Sequence, residues 1–366
     1  MPNWGSGGAA SVHARLAGRD NALNAVRLLL ATFVVVDHSF KAATGESGPW
    51  PYLGAFAVDG FFAISGYLIA GSRTRMGMRP FLWRRALRLM PAYWAVLLFT
   101  ALVAAPVSTT MTRNAYDWRS AASYVVKNSL LVTTQMGIAG TPTDVAYHGL
   151  WNVSVWSLLY EAAAYVAFGL VIGAVWFRIR TAALLSAGLA VCIVVQFGLG
   201  VGPDALRDLT RLWSFFAAGV LLWFFRERLP GSRAVAAVAG AVVVAALLLD
   251  GTWYLMLAPV PLAFVLLWLG ARLPVRVGAR NDISYGVYVF AFPLQQLMAV
   301  GRVPEVVGSF WFAVLSVAVT VPVAWASWLL VEKPSMRLRR VVPVGTRPAS
   351  APSATAAEVL GRPVIG

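Results

Sequence analysis

Residues 21–40 read NALNAVRLLLATFVVVDHSF, a membrane-length apolar run that nevertheless holds Arg27, Asp37 and His38. Ionisable groups are costly in hydrocarbon and are tolerated mainly where they face a polar interior. This stretch therefore predicts a membrane helix with one functional side. Arg27 and His38 stand eleven residues apart, close to three whole turns, so they share nearly one face at a separation of about 16 Å along the axis. Arg27 suits phosphate or carboxylate groups, and His38 suits proton transfer. The competing account has Arg27 snorkelling to the interface and His38 at a helix end.

The remaining chain extends that reading. It has 366 residues, 59% hydrophobic and only 12% charged, against about 25% charged in soluble domains. Ten apolar segments can be marked, at 22–41, 54–71, 89–107, 150–176, 181–201, 210–225, 234–250, 253–270, 283–301 and 308–331. The predicted fold is an all-α membrane protein, a bundle of about ten transmembrane helices. The first 20 residues lack the apolar core of a cleavable signal, so the first helix is expected to be retained. Residues 1–20 are expected to form a cytoplasmic segment, 21–342 the transmembrane domain, and the Pro/Ala/Ser-rich stretch 343–366 a disordered cytoplasmic tail.

Charge fixes the orientation. With the N-terminus in the cytoplasm, 22 of the 30 Lys and Arg residues fall on cytoplasmic stretches and seven on outer ones. Every alternate loop obeys this bias, which predicts both termini inside. The +15 net charge is then a topology signal, and no nucleic-acid partner is needed to explain it. The single cysteine, Cys192, excludes an intrachain disulfide and a multi-cysteine metal site, and no metal is expected.

Further polar groups interrupt the apolar segments. VDGFFAISGYLIA (58–70) carries Asp59, the pair Phe61 and Phe62, and Ser65-Gly66, which admits either a close helix or a ligand. RPFLWRRALRLMPAYW (79–94) sets Arg84, Arg85 and Arg88 beside Tyr93 and Trp94. Such a cluster can hold a nucleotide diphosphate and its base, or it can anchor the chain on anionic lipid. WNVSVWSLLYEAAAY (151–165) places Glu161 in mid-helix after Trp156 and Ser157, needing a partner such as His38 or an Arg of another helix. NDISYGVYVFAFPLQQ (281–296) brings Tyr285, Gln295 and Gln296, and VEKP (331–334) brings Glu332, a partner for one of the arginines that follow it.

In order and spacing these pieces resemble the acyltransferase-3 family of integral membrane O-acyltransferases, across about residues 20–340. The pieces are Arg27 and His38 with ten residues between, FFAISGYLI, RRALRLMPAYW, WSLLYEAAAY, ISYGVYVFAFP and VEKP. The resemblance implies an O-acetyltransferase or related O-acyltransferase of the bacterial cytoplasmic (inner) membrane, with no permanently bound cofactor. Its donor substrate would be acetyl-CoA or another acyl-CoA. Its acceptor would be a hydroxyl on a cell-surface or lipid-linked glycan, a nodulation oligosaccharide or a macrolide. It further implies Arg27 and His38 as the essential pair and Glu161 as the acid of a W-S-L-x-x-E pattern. Phe61, Phe62, Ser65 and Gly66 would shape the core, and Arg84, Arg85 and Arg88 the face that meets the donor. His38 would act as general base or acyl carrier, oriented by Glu161 or Asp37. The rival reading is a transporter that uses Arg27, His38 and Glu161 as a relay.

Overall fold

The computed structural model describes residues 11–18, 21–173, 204–249, 251–275, 277–278 and 281–343. The expected apolar segment at 181–201, with Cys192, and the tail from 344 onward lie outside the described residues. The described residues are mainly helical and contain no strand, only an isolated bridge between Ile138 and Thr141. The chain opens on a short α1 (Val12–Leu16), followed by α2 (Leu23–Thr44), α3 (Leu53–Arg73) and α4 (Met78–Phe99). A π-turn over Thr100–Ala104 leads from α4 into α5 (Ala105–Thr112), after which come α6 (Trp118–Asn128) and α7 (Ser157–Gly173). Next are α8 (Asp204–Phe224), α9 (Arg233–Leu249), α10 (Gly251–Leu257) and α11 (Pro259–Arg272), and last α12 (Ser284–Val300) and α13 (Val303–Ser327).

Five of these helical runs are long and apolar enough to cross a membrane, or six if the bent pair α10 and α11 is one span. The protein is a membrane protein by this architecture. Several expected segments take other forms for physical reasons. The third segment becomes one 35-residue run, Met78–Thr112, because its π-turn accommodates an extra residue without breaking the helix. Segment 253–270 is broken by 62° at Ala258, just before Pro259 and Pro261, where missing amide donors interrupt the ladder. Helix α12 has only 17 residues, yet all but a few of them are buried. Its surroundings are protein on every side, so its length need not match a bilayer.

Close helix contacts depend on small residues. A Cβ on Gly66 would strike the Phe216 carbonyl, and one on Gly219 would strike the Ala63 carbonyl. Helices α3 and α8 therefore meet backbone to backbone, the packing mode that small residues permit between membrane helices. Polar side chains secure α12 to its neighbours. The buried Gln295 donates to the Val35 carbonyl at 2.8 Å and to Ser39 Oγ at 2.9 Å. Gln296 donates to the Tyr147 and Leu150 carbonyls, both at 2.7 Å. On the opposite flank, Tyr93 OH and Trp94 Nε1 donate to the carbonyls of Asn128 and Ser129, fastening α6 to α4.

Replacing Gly66 by Ala is expected to destabilise the protein by about 1–3 kcal/mol through overpacking at this crossing. Gly240, in α9, has nothing near its Cβ position, so Gly240→Ala should leave the melting temperature unchanged or slightly raised. Thermal unfolding of the two variants in detergent compares them directly.

Candidate active site

Residues Ile283 and Asp282 lead into α12, and the Asp282 carboxylate gathers the core charges. Its Oδ1 accepts from Ser284 Oγ at 2.6 Å and from the Ser284 amide at 3.3 Å, which caps the helix start. Its Oδ2 receives Arg27 Nη1 at 2.5 Å and Arg88 Nη2 at 2.6 Å. Arg88 turns its other nitrogen to Glu332 Oε2 at 3.0 Å. Glu332 lies in a second π-turn, Trp328–Glu332, and its side chain is 1% exposed. Two guanidiniums thus meet two carboxylates supplied by four separate parts of the chain. Burial opposes ionisation of Asp282, but Arg27 and Arg88 outweigh it and hold the carboxyl down at about 2, below the ordinary 3.8.

Beside this cluster lies a wide vestibule of about 490 Å³. Among the described residues, six arginines line it (Arg27, Arg75, Arg84, Arg85, Arg88 and Arg339), against the single carboxylate of Asp282. Arg85 Nη2 donates to Ser72 Oγ at 3.0 Å, and its guanidinium lies 5.8 Å from the Phe81 ring and 5.9 Å from that of Tyr165. Among the described residues, Arg75, Arg84, Arg85 and Arg339 have no carboxylate within ion-pair distance. A vestibule with this surplus of cations attracts polyanions such as phosphates.

Arg27, Arg88 and Tyr165 also wall a second, much smaller cavity of about 40 Å³. Phe61 and Phe62 from α3, Ser157 and Glu161 from α7, and Tyr285 and Tyr288 from α12 also line it, with Val58, Leu89 and Leu158. Glu161 Oε1 accepts from Ser65 Oγ at 3.2 Å and from Tyr165 OH. Ser157 Oγ and Tyr288 OH are 2.7 Å apart, and Tyr285 OH donates to the Leu89 carbonyl at 2.8 Å while Arg88 stands over its ring. The motif at 61–66 thereby divides its labour: the phenylalanines wall the cavity, Ser65 holds Glu161, and Gly66 admits α8.

His38 lies further along α2, edge-on to Phe292 of α12 at 5.5 Å between ring centroids. Phe292 in turn meets Tyr147 of the loop after α6 at 5.8 Å. His38 Nδ1 stands 3.0 Å from the Val34 carbonyl. A carbonyl only accepts, so Nδ1 carries the proton and Nε2 keeps its lone pair. His38 lines neither the vestibule nor the small cavity.

Several expected partnerships are corrected by these contacts. Glu161 does not meet His38 or form an ion pair with Arg; Ser65 and Tyr165 satisfy it instead. Asp37 does not orient the imidazole, because its Oδ2 pairs with Lys41 at 2.7 Å, one turn further along the same helix. Tyr93 and Trp94 do not line the arginine vestibule. They follow Arg88 by five and six residues, which carries them more than a turn along α4 to face α6. Glu332 pairs with Arg88 rather than with the arginines that follow it. Asp59 lies apart from the cluster, paired with Arg211, and Trp156 packs edge-on against Tyr160. Asp282, Tyr165 and Tyr288 were not singled out from sequence. The signal for Asp282 was present, as an Asp two residues ahead of a helix-opening Ser in NDIS.

Comparison with known proteins identifies the family. A family model described as an acyltransferase domain matches residues 20–329. The chain belongs to this family, acyltransferase-3, and is an acyltransferase enzyme of the O-acyltransferase kind. It is 26% identical over 333 residues to an O-acetyl transferase of Shigella phage Sf6, covering 86% of this chain and 96% of the relative. It is 25% identical over 367 residues to Nodulation protein 10 of Rhizobium leguminosarum bv. viciae, covering 88% of this chain and 95% of the relative. No solved structure matches it.

Two outcomes follow from the geometry. Asp282→Asn leaves two buried cations under-compensated and is expected to cost about 3 kcal/mol or more. Because the folded carboxyl titrates below its unfolded value, its stabilisation is complete above about pH 4 and fades as pH falls toward about 2. Melting temperature against pH should therefore show an acid limb that Asp282→Asn weakens. Tyr93→Phe removes one hydrogen bond, worth about 1 kcal/mol, and should leave the KM for an acyl donor unchanged in steady-state assays.

Proposed function

We propose that this enzyme moves an acyl group, acetyl in the first instance, from cytoplasmic acyl-CoA to a hydroxyl of a cell-surface or lipid-linked glycan. The carrying observation is the arginine vestibule, which shares Arg27, Arg88 and Tyr165 with a narrow inner cavity. Coenzyme A presents three phosphate groups and a long pantetheine arm. Phosphates suit Arg75, Arg84, Arg85 and Arg339, whose charges are unmatched by carboxylates, and the arm suits the narrowing past Tyr165. The proposed topology follows the basic-residue bias: about ten spans, both termini cytoplasmic, in a bacterial cytoplasmic membrane. Residues 21–342 then form the catalytic transmembrane domain, flanked by cytoplasmic ends.

In the proposed chemistry, His38 Nε2 accepts the proton of the acceptor hydroxyl as that oxygen attacks the thioester carbonyl. The carbonyl carbon becomes tetrahedral, then the C–S bond breaks and coenzyme A leaves as the thiolate. The imidazolium returns its proton to that sulfur, and the ester remains on the acceptor. Hydrogen bonding of Nδ1 to the Val34 carbonyl supports this role, since it leaves Nε2 free to act as the base. A relay in which Nε2 itself carries the acyl group uses the same atom. Arg27 and His38 are about 16 Å apart along α2, a gap suited to an extended arm delivering its thioester from one side to an alcohol from the other.

Membranes containing the protein, given radiolabelled acetyl-CoA and a surface-glycan fraction, should form labelled ester. His38→Ala should abolish that ester while the protein remains folded in the membrane; full activity would overturn the role. Arg84→Ala should raise the KM for acetyl-CoA by about tenfold, corresponding to one charge-assisted contact, with little change in the KM for the acceptor.

A further inference from the structure

A third cavity, of about 470 Å³, opens at the Tyr52 end of α3, opposite to the end that borders the arginine vestibule. It falls within the size range of small-ligand sites, and no step above uses it. Three helices supply its polar wall. Asp59 of α3 is 0% exposed. Arg211 of α8 donates from Nε to Asp59 Oδ1 at 3.0 Å and from Nη2 to the Ala55 carbonyl at 3.1 Å. Tyr254 of α10 donates to Asp59 Oδ2 at 3.1 Å. Arg211 Nη1 stands 3.9 Å from Asp208, too far for a hydrogen bond, and so retains donor capacity.

Charge separates this cavity from the vestibule. Here the single guanidinium of the lining, Arg211, is already paired with Asp59 and has Asp208 nearby, so an anionic ligand gains little by entering. The surroundings favour a neutral molecule rich in hydroxyls. Tyr52, 66% exposed, and Phe56 offer aromatic faces, which suit the C–H side of a pyranose ring. Leu248 and Leu249 are 81% and 61% exposed beside them, an apolar rim suited to the lipid that anchors such a sugar.

Position supports the same ligand. Gly54 lies so close to the Asp37 carboxylate that a Cβ there would meet it. The carbonyl of the next residue, Ala55, is held by Arg211. The cavity is thus separated from the neighbour of His38 by roughly the thickness of one helix, about 10 Å. We propose that the cavity between α3, α8 and α10 binds a neutral pyranosyl unit of a lipid-anchored glycan, next to the unit whose hydroxyl is acylated. This inference rests on the glycan-acyltransferase reading.

The test uses the full-length protein in phosphatidylethanolamine/phosphatidylglycerol nanodiscs and a diazirine-bearing octyl glucoside, with no acyl donor present. Photolabel should map to peptides containing Tyr52 and 247–257. Unlabelled octyl β-D-glucopyranoside should displace it at least about tenfold better than octyl tetraethylene glycol ether, which has the same tail without a sugar. Tyr52→Ala, which removes an exposed ring, and Leu248→Trp, which fills the cavity from its rim, should each cut labelling about tenfold without lowering the melting temperature. Label spread over lipid-facing α13, equal displacement by both competitors, or indifference to both substitutions would overturn the proposal. Sugar-specific label in the cavity without ester formation in the transfer assay would retain the site and reject the transfer reading. Ester formed on glycan with the cavity unlabelled would do the reverse.

Discussion

Two arginines share one carboxylate oxygen at the heart of this protein. Arg27 and Arg88 come from helices distant in sequence, and Asp282 accepts both while capping the helix that the rest surrounds. Removing two guanidiniums from water costs several kcal/mol each unless the geometry returns it. Asp282 and Glu332 supply the compensation, and in doing so they fix α2, α4, α12 and the end of α13 relative to one another. Glu332 reaches Arg88 from the last position of the π-turn Trp328–Glu332. The vestibule and the narrow cavity both inherit walls from this arrangement, so the cluster shapes both spaces.

The electrostatic contrast between the two larger cavities divides the molecule. One end of α3 borders a vestibule with six arginines and a single carboxylate. Its other end borders a cavity where Arg211 is already neutralised by Asp59. The proposed reaction, with a donor carrying several phosphates and an uncharged acceptor, would use such opposite environments. In that reading the donor's phosphates would also find the guanidinium of the second cavity already taken by Asp59.

Much of this was legible from spacing and charge alone. Membrane character followed from apolar runs, and the side shared by Arg27 and His38 followed from an interval close to three turns: in the fold, both meet α12 or the turn that enters it. Partnerships were less legible, because they join residues far apart in sequence. Nothing local shows that Arg88 chooses Asp282, 194 positions away, and Glu332. Proximity in sequence also misled. Tyr93 and Trp94 stand close to Arg88 in the chain, yet helical rotation sends them to α6. Likewise Asp37 is adjacent to His38 but answers Lys41, which a helix places on its own side. Glu161 was recognised as an acid needing a partner, and that partner proved to be two hydroxyls rather than a charge.

Helix α12 joins several of these regions: Tyr285 and Tyr288 wall the inner cavity, Phe292 meets His38, and Gln296 grips the loop carrying Tyr147. Such a helix behaves as a push-rod enclosed in a sleeve. Sliding or rolling it would disturb the inner cavity and the surroundings of His38 together. A substitution that displaces this rod at one of these contacts is therefore felt at the others.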